Sequence, residues 1–287
     1  MTDWSNARIL GSSHADDVAL TVTSAASGFP ATNLQTDSPT ERWRSTSAIA
    51  QDITVDFAED LSLSGFVLYG HNLSYDATIR LTIGNNADFS SPVYDATFDA
   101  VDAIYGFGDE PDGFGTGGFG GYDGSGWQHQ YTAHWFPQIE GGAHFARYVR
   151  ARITDTANTD GYVQAGRLML GGYFTTTDLD IDYGIVFGRN ENTEQFETRS
   201  GALRSVQRPS FRIAEAKWSY MTFSEVFRLQ EILRIKGKHS AIFFSAYPDE
   251  GTINERFNAM LAFITDFTKV QRVRGGYAVA LALRESL

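Results

Sequence analysis

Alternation of apolar and polar side chains with a period of two constrains this chain most, and it is concentrated in residues 33–84. In residues 53–57, Ile, Val and Phe alternate with hydroxyl and acidic side chains, and residues 77–83 alternate in the same way. A further apolar run lies between them at residues 66–68. Since successive side chains of a strand point to opposite faces of a sheet, this period places one face in a core. The stretch predicts three strands of an antiparallel β-sandwich, which is more typical of a binding module than of a catalytic domain.

The net charge of the chain changes sign near residue 175. Residues 1–175 carry 8 Arg and no Lys against 21 Asp and Glu, whereas residues 176–287 carry 15 Lys and Arg against 14 acidic residues. This break predicts two domains, a β-sandwich in residues 1–175 and a second domain in residues 176–287. An acidic first domain repels phosphate groups, so no nucleic acid is expected as a partner. The balanced charge of the second domain is typical of a surface that contacts other proteins.

Glycine dominates residues 105–127, where it is interleaved with aromatic and acidic side chains. Because glycine loses the most entropy on ordering, the segment predicts a long loop inserted in the first domain. It has neither the Gly-Lys-Ser/Thr ending of a phosphate-binding loop nor the ligand spacing of an EF-hand. Two interpretations stay open: a solvated insertion that becomes ordered only against a neighbour, or an aromatic-tipped loop that contacts a glycan or another subunit.

An aromatic-rich run follows at residues 128–135. His129 and His134 lie five positions apart and lack the Glu of the HExxH motif, so we expect them to pack, and we predict no metal and no other cofactor. Large aromatic side chains beside a loop are suited to contact a ligand or a neighbouring chain. The candidate glycan or subunit contacts are Phe114, Phe119, Trp127, Tyr131 and Trp135.

The sequence offers no catalytic motif. It contains no cysteine, hence no thiol nucleophile and no disulfide, and no Gly-x-Ser-x-Gly elbow that would place a serine nucleophile. Acidic residues are numerous, so counting alone does not exclude a glycosidase pair. Asp52, Asp56 and Asp76, however, are expected on the solvent face of the sandwich or in turns. We therefore predict that the protein is not an enzyme.

The second domain combines strands with one helix. Thr222 and Glu225 match the Thr-x-x-Glu capping box, and Gly237 follows two cations, which predicts a helix over about residues 223–236. The apolar stripe of this helix is Phe223, Val226, Phe227, Leu229, Ile232 and Leu233. Inward positions are also predicted in the strands around it, namely Phe196, Leu203, Val206, Phe211, Ile213, Trp218, Tyr277, Val279, Leu281 and Leu283.

The order of motifs in residues 15–174 resembles the galactose-binding-like (discoidin-type) jelly roll. The motifs are an early Asn-Leu and Trp-Arg, then Gln-Asp-Ile-Thr-Val-Asp-Phe, Phe-Val-Leu-Tyr-Gly-His-Asn, Ala-Arg-Tyr-Val-Arg-Ala-Arg-Ile and a closing Gly-Arg-Leu-Met-Leu-Gly-Gly. The resemblance implies that Trp43 lies in the core and that loops at one end form the binding surface. Members of this family are usually modules that bind sugars, lipids or proteins, often without catalysis.

Residues 188–285 are similar to the tail-tube-like β-sandwich with a flanking helix found in distal tail and minor tail proteins of long-tailed bacteriophages. The features that carry this resemblance are a Gly-Arg and Thr-Arg-Ser-Gly hairpin, a Trp-bearing strand before the Thr-capped helix, Gly237, and a last Tyr-x-Val-x-Leu-x-Leu strand. Many members carry the ring domain at the N-terminus, whereas this chain carries the jelly roll first.

We therefore expect a mainly β protein, with a galactose-binding-like jelly roll followed by a tail-tube-like β-sandwich with one flanking helix. The first functional hypothesis is a structural component of a phage tail tip or baseplate. It would form a ring of copies, sixfold or threefold, that links the tail tube and hub to the receptor-binding apparatus. Such a protein is expected in the virion tail after assembly in the host cytoplasm, without a membrane span. The alternatives are a module for host-surface glycans and an enzyme that degrades surface polysaccharide.

Overall fold

The fold is mainly β, as predicted, and forms two compact units. The sandwich unit comprises residues 12–173, and the sheet unit comprises residues 6–11, 174–248 and 258–286. The structure is a computed structural model, and it describes residues 6–74, 76–100, 131–136, 144–177, 179–182, 184–191, 194–197, 201, 203–206, 209–248 and 258–286.

The strands pair in antiparallel fashion throughout the described chain. A 3₁₀ turn at Ala31–Gln35 lies between the second and third strands. In chain order the elements are β1 (Arg8–Leu10), β2 (Ala19–Val22), β3 (Trp43–Arg44), β4 (Gln51–Leu63), β5 (Gly65–Tyr69), β6 (Thr78–Gly84), β7 (Pro92–Asp99), β8 (Tyr131–Trp135), β9 (His144–Thr154), β10 (Gln164–Ala165), β11 (Arg167–Gly171), β12 (Val186–Glu191), β13 (Glu194–Glu197), β14 (Leu203–Val206), β15 (Ser210–Thr222), α1 (Phe223–Lys236), β16 (Ile242–Ser245), β17 (Ala259–Val273) and β18 (Gly276–Glu285).

Two sheets form the sandwich unit. One has the strand order β2-β4-β9-β6-β7 and the other β11-β5-β8, while β3 and β10 pair with each other. Apolar side chains of both sheets make one core, with Ile53 contributed by β4, Phe66 by β5 and Leu168 by β11. Trp43 is fully buried in this core, and its indole Nε1 donates to the Ser24 carbonyl at 3.0 Å. This confirms the expected core position of Trp43.

The alternation of β4 separates its two faces as the sequence predicts. The three apolar side chains of residues 53–57 are buried, with no more than 3% of their surface exposed. On the opposite face Asp52 pairs with Arg152, and Asp56 pairs with Arg147, each with an N–O distance of 2.7 Å. These carboxylates are therefore ion-pair partners on the outer face of the five-stranded sheet.

A six-stranded sheet with the order β1-β16-β17-β18-β15-β12 forms the sheet unit. The helix α1 packs against β15 and β18, and it buries Val226 and Leu229 in the core of this unit. The helix has the predicted bounds: Thr222 and Glu225 form the capping box, and Gly237 ends the helix with a φ of 58° that favours glycine.

Glu225 also connects α1 to Thr177, which lies just after the chain returns from the sandwich unit to the sheet unit. Its Oε1 accepts from the backbone N and the Oγ1 of Thr177, both at 2.8 Å, and its Oε2 accepts from the Thr222 N at 2.7 Å. Burial acts to raise the pKa of this carboxyl, but the hydrogen bonds from Thr177 and Thr222 outweigh it and leave the pKa below its ordinary value.

The N-terminal strand differs from the predicted first domain, residues 1–175. In the structure Ile9 of β1 pairs with Phe244 of β16, and it exchanges two backbone hydrogen bonds with Phe174. Residues 6–11 therefore belong to the sheet unit. A three-residue strand carries too little alternation to show which distant strand it joins.

The two ends of the sandwich unit lie next to each other. The His14 backbone N donates to the Leu170 carbonyl at 2.6 Å, and a Cβ built on Gly171 would lie 2.8 Å from the Ser12 carbonyl oxygen. The chain therefore enters and leaves this unit at one place.

Three predicted inward positions are exposed, which corrects the sequence analysis. Phe196, Leu203 and Val206 are 52, 68 and 46% exposed. They belong to β13 and β14, which form a separate two-stranded sheet, so alternation there does not mark a buried face. The predictions for the longer strands hold better: Phe211, Trp218, Val279, Leu281 and Leu283 are buried, while Ile213 and Tyr277 are half-buried.

The predicted apolar stripe of α1 is wider than the face that packs on the sheet. Phe223 and Phe227 are 64 and 53% exposed, whereas Val226 and Leu229 are buried. Helical spacing assigns residues to one side of a helix, but it does not show where the packed face ends. Phe223 and Phe227 therefore lie on the predicted stripe but outside its buried part.

Candidate functional site

The structure describes only part of the predicted aromatic contact set. Three of its members lie outside the described residues and remain predictions: Phe114, Phe119 and Trp127. Tyr131 and Trp135 are the first and last residues of β8, where they pair with Tyr69 and Gly65. Four residues of extended strand separate the two positions by about 13 Å. The strand therefore does not bring them to one place.

Trp135 packs on the outer side of the three-stranded sheet. A Cβ built on Gly65 would lie 3.0 Å from the Trp135 ring, so the indole closes over a position that favours glycine. The ring stands edge-on to Tyr173, with centroids 5.4 Å apart and planes at 83°. The side chain is half-buried. This environment is typical of a packing residue.

His134 points to the opposite side of β8 and contacts β7 of the five-stranded sheet. Its Nε2 lies 2.6 Å from the Tyr94 hydroxyl oxygen, and its ring stacks on Phe98 with centroids 4.2 Å apart. Burial lowers the pKa of His134 to about 4, so the imidazole is neutral at physiological pH. The three rings close one edge of the core between the two sheets.

His144, the first residue of β9, extends this aromatic group. Its ring centroid is 5.0 Å from that of Tyr94 and 5.7 Å from that of Phe136. In the part of the chain that the structure describes, neither buried ring nitrogen has a hydrogen-bond partner, and burial lowers the pKa of His144. Neutral imidazoles among aromatic rings act as packing groups, as the sequence analysis expects of His134.

Within the described ranges, no group of three or more His, Asp or Glu side chains could hold a metal ion. No helix of that part of the chain is long and apolar enough to cross a membrane.

A second concentration of polar and aromatic side chains lies at one end of the sandwich, where several connections meet. Strand register brings them together, because Thr78 at the start of β6 pairs with Thr154 at the end of β9. The Ser45 backbone N donates to the Val163 carbonyl at 2.8 Å and links two further connections. We call this region the loop end; it consists of residues 23–30, 45–50, 70–74 and 155–163 with the adjoining Arg44 and Gln164.

Arg44 at the loop end lies against two aromatic rings. Its Cζ is 4.3 Å from the centre of the Phe29 ring and 4.1 Å from the centre of the Tyr162 ring. Its Nη2 donates to the Gln164 Oε1 at 3.1 Å, while its Nε is buried without a hydrogen-bond partner among the described residues. Two rings at this distance fix the directions in which the guanidinium N–H groups point. We call Arg44, Phe29 and Tyr162 the arginine clamp.

Asn72 joins the connections next to the clamp. Its Nδ2 donates to the Asp160 Oδ2 at 2.8 Å and to the Tyr162 carbonyl at 3.0 Å, and its Oδ1 accepts from the Gln164 N at 2.8 Å. The Asn72 side chain is buried, and these bonds satisfy its donors and its acceptor. The positions of Tyr162 and Asp160 are thereby tied to the core of the sandwich.

Asp155 fixes the same region through a second set of hydrogen bonds. It is fully buried and accepts from the Ser74 backbone N at 2.9 Å, from the Ser74 hydroxyl, and from the Asn158 Nδ2 at 2.9 Å. Bonds between separate connections hold them in one arrangement. The described part of the loop end is therefore a preformed surface.

The open side of the loop end combines three kinds of group. Arg44 supplies guanidinium donors, the exposed Asp160 supplies a carboxylate acceptor, and the half-exposed rings of Phe29 and Tyr162 supply apolar surface. A few fixed polar groups beside aromatic surface are typical of small-molecule sites. A ligand with several hydroxyl groups uses all three, because a hydroxyl both donates and accepts.

Sequence analysis did not identify the arginine clamp, because its three residues come from distant segments. Two local signals point toward it. Arg44 directly follows the core residue Trp43 at the end of a strand, and residues 158–161 have the Asn, Asp and Gly of a turn. Neither signal shows that these segments meet.

Similarity to known proteins is weak. No protein-family model and no curated protein matches the sequence. Among solved structures, a chitosan-binding module from a chitosanase/glucanase of Paenibacillus sp. IK-5 is similar at 18% identity and a TM-score of 0.36, over 56% of this chain and 98% of that chain. The lectin domain of lectinolysin, complexed with Lewis B antigen, has 16% identity and a TM-score of 0.37, over 57% and 97%. A fucose-binding module of Streptococcus pneumoniae has 10% identity and a TM-score of 0.38, over 56% and 98%. Values this low transfer neither a ligand nor a site residue to this chain.

Proposed function

We propose that the sandwich unit is a non-catalytic module that binds carbohydrate at the loop end. The arginine clamp carries this proposal. Arg44 is held by two rings, and its Nη2 donates to the Gln164 Oε1 at 3.1 Å. A guanidinium fixed in this way loses little entropy when a ligand oxygen accepts its remaining N–H groups. A sugar hydroxyl is such an acceptor, and the O–H of a second hydroxyl on the same sugar can donate a hydrogen bond to the Asp160 carboxylate.

A neutral sugar fits this surface better than an acidic one. The Asp155 and Asp160 carboxylates lie in the same connection, and residues 1–175 carry 21 acidic residues against 8 Arg. This field repels a uronic or sialic acid. The rings of Phe29 and Tyr162 are suited to contact the C–H face of a neutral hexose.

Binding to neutral glycans is expected to depend on Arg44. We expect a microarray of neutral glycans to give hits, and Arg44→Met to weaken binding of the best hit by about tenfold or more in calorimetry, since hydrogen bonds to a charged group are worth roughly 1.5–3 kcal/mol. Asp160→Ala removes the acceptor and is expected to act in the same direction.

The matched control is Arg152→Met, which removes an arginine that pairs with Asp52 on the outer sheet face. This variant is expected to bind as the unchanged protein does. Denaturant unfolding of each variant separates lost binding from lost folding. Binding that Arg44→Met leaves intact, or an array without hits, contradicts the proposal.

The sheet unit favours a second function, which is compatible with the first. We propose that it assembles copies of the chain into a ring, as a structural component at the tail tip of a long-tailed phage. The hairpin of β13 and β14 supports assembly, because it exposes Phe196, Leu203 and Val206 and because a lone two-stranded sheet is only marginally stable in water. The phage setting rests on the resemblance of residues 188–285 to distal tail proteins, with tail tube, hub and baseplate proteins as partners.

Sedimentation over a concentration series is expected to show a closed oligomer of the 31.7 kDa chain, sixfold or threefold. Antibody labelling of virions is expected to place the protein at the tail tip. A monomer at every concentration, together with unlabelled tails, would contradict this second function. That result would not affect the carbohydrate proposal.

A further inference from the structure

The hairpin of β13 and β14 presents two chemically different faces. In its register Glu197 lies opposite Leu203, and Phe196 lies opposite Arg204. Directly opposed residues of an antiparallel pair share a face. One face therefore carries Leu203 with the Glu197 carboxylate, and the other carries Phe196 with the Arg204 guanidinium. All four side chains are exposed.

The helix α1 presents an exposed aromatic face at its N-terminal end, where the Phe223 ring also contacts Tyr277 of β18 with centroids 6.3 Å apart. Phe223 and Phe227 stack with ring centroids 6.3 Å apart and planes at 25°, and they are 64 and 53% exposed. A helix that packs on one sheet normally turns polar side chains outward. Two stacked phenylalanines that stay more than half exposed are therefore a surface for a partner.

Cations outnumber acids next to this aromatic face, because the Glu231 carboxylate beside Phe227 is paired with Arg234 at 2.9 Å. Arg228 follows Phe227 directly and is exposed, and the exposed Lys269 of β17 donates from its Nζ to Gln230 of α1 at 3.0 Å. The aromatic face thus combines apolar rings with positive charge. The hairpin face with Leu203 and Glu197 combines an apolar side chain with negative charge.

We propose that the Leu203 and Glu197 face of the hairpin in one copy docks on the aromatic face of α1 in the next copy. This contact deepens the proposed structural function and rests on it. The chemistry selects unlike faces: hairpin on hairpin would place Glu197 beside Glu197, and helix on helix would place Arg228 beside Arg228, and like charges in contact are unfavourable.

A contact between unlike faces has a consequence for the assembly. After the hairpin of one copy binds α1 of a second copy, the pair keeps one free helix face and one free hairpin. Such head-to-tail association continues until it closes into a ring, or it extends as a filament. A closed pair forms only where a twofold axis makes the contact reciprocal, with the hairpin of each copy on α1 of the other.

The absence of cysteine from the chain allows a direct test by cross-linking of single-cysteine variants. Leu203→Cys and Phe227→Cys are prepared separately, mixed, and treated with a short bis-maleimide, which bridges thiols that are not in direct contact. Both positions are exposed, so the substitutions leave the core intact. The mixture is expected to give several-fold more covalent dimer than either variant alone.

The matched control replaces Leu203→Cys by Val93→Cys, which changes another exposed apolar residue but on the sandwich unit. The Val93→Cys and Phe227→Cys mixture is expected to give only background dimer. Equal cross-linking by Phe227→Cys alone overturns the proposal in favour of a like-on-like contact. An oligomer in sedimentation without the mixed cross-link overturns this contact but not the structural function. A monomer overturns both.

Discussion

Replacing Arg167 by leucine is expected to lower the free energy of unfolding of the sandwich unit by about 3–5 kcal/mol. Arg167 is 1% exposed, and its Nη1 and Nη2 lie 2.7 and 2.8 Å from the two carboxylate oxygens of Asp16. Its Nη2 is also 3.3 Å from the Asp37 Oδ1. Leucine removes the cation and leaves two partly buried carboxylates facing a side chain that cannot neutralise them. Denaturant unfolding followed by Trp fluorescence measures the loss.

The control for Arg167 is Arg80→Leu, which breaks an ion pair with Asp95 on the exposed sheet face. That change is expected to cost about 0–1 kcal/mol, because water screens the pair. Adding Asp16→Asn and Asp37→Asn to Arg167→Leu is expected to recover part of the lost stability. If Arg167→Leu costs no more than Arg80→Leu, the buried cluster does not stabilise the fold.

Acidification from about pH 6.5 toward pH 4 is expected to destabilise the sandwich unit by up to about 3 kcal/mol through His134 alone. Burial lowers the pKa of His134 from 6.5 to about 4. In this pH range the unfolded chain therefore binds a proton that the folded protein does not. The contribution of His134 to the free energy of unfolding is fully present above pH 6.5 and is lost as the pH falls. Burial also lowers the pKa values of His14 and His144, which add to the loss in the same direction.

His134→Phe tests the assignment of this pH dependence. Phenylalanine retains the stack on Phe98 but loses the hydrogen bond to Tyr94, so its stability at neutral pH falls somewhat. Its loss on acidification to about pH 4.5 is expected to be smaller than that of the unchanged protein. The Asp56 and Asp95 carboxyls do not obscure the comparison, because ion pairing with arginine lowers their pKa values and they titrate at lower pH. Equal losses in both proteins would show that His134 is not responsible.

The sequence predicted best where the physical signal is local. The alternation of residues 53–57 follows from the geometry of a single strand, and the structure buries those side chains as expected. The bounds of α1 follow from Thr222, Glu225 and Gly237, which satisfy the first and last peptide groups of the helix. Neither inference requires knowledge of what the element packs against.

Other features could not be predicted because they depend on the partner of an element. Leu203 alternates as a buried strand residue does, and only the isolation of its hairpin exposes it. The position of β1 depends on β16, which lies at the other end of the chain. The arginine clamp requires contact between Arg44 and the rings of Phe29 and Tyr162. The spacing of these residues in the sequence does not predict that contact.

The two hydrogen bonds between Ile9 and Phe174 join the chain segments on either side of the sandwich unit. The sandwich unit is therefore an insertion in the sheet unit. The chain leaves the six-stranded sheet after residue 11 and returns to it at residue 174, and those two points already touch. A short turn between them can restore a continuous sheet unit, since insertion is best tolerated where both ends meet at one place. Recombination can therefore exchange residues 12–173 for another module, while the hairpin of β13 and β14 and the helix α1 stay unchanged.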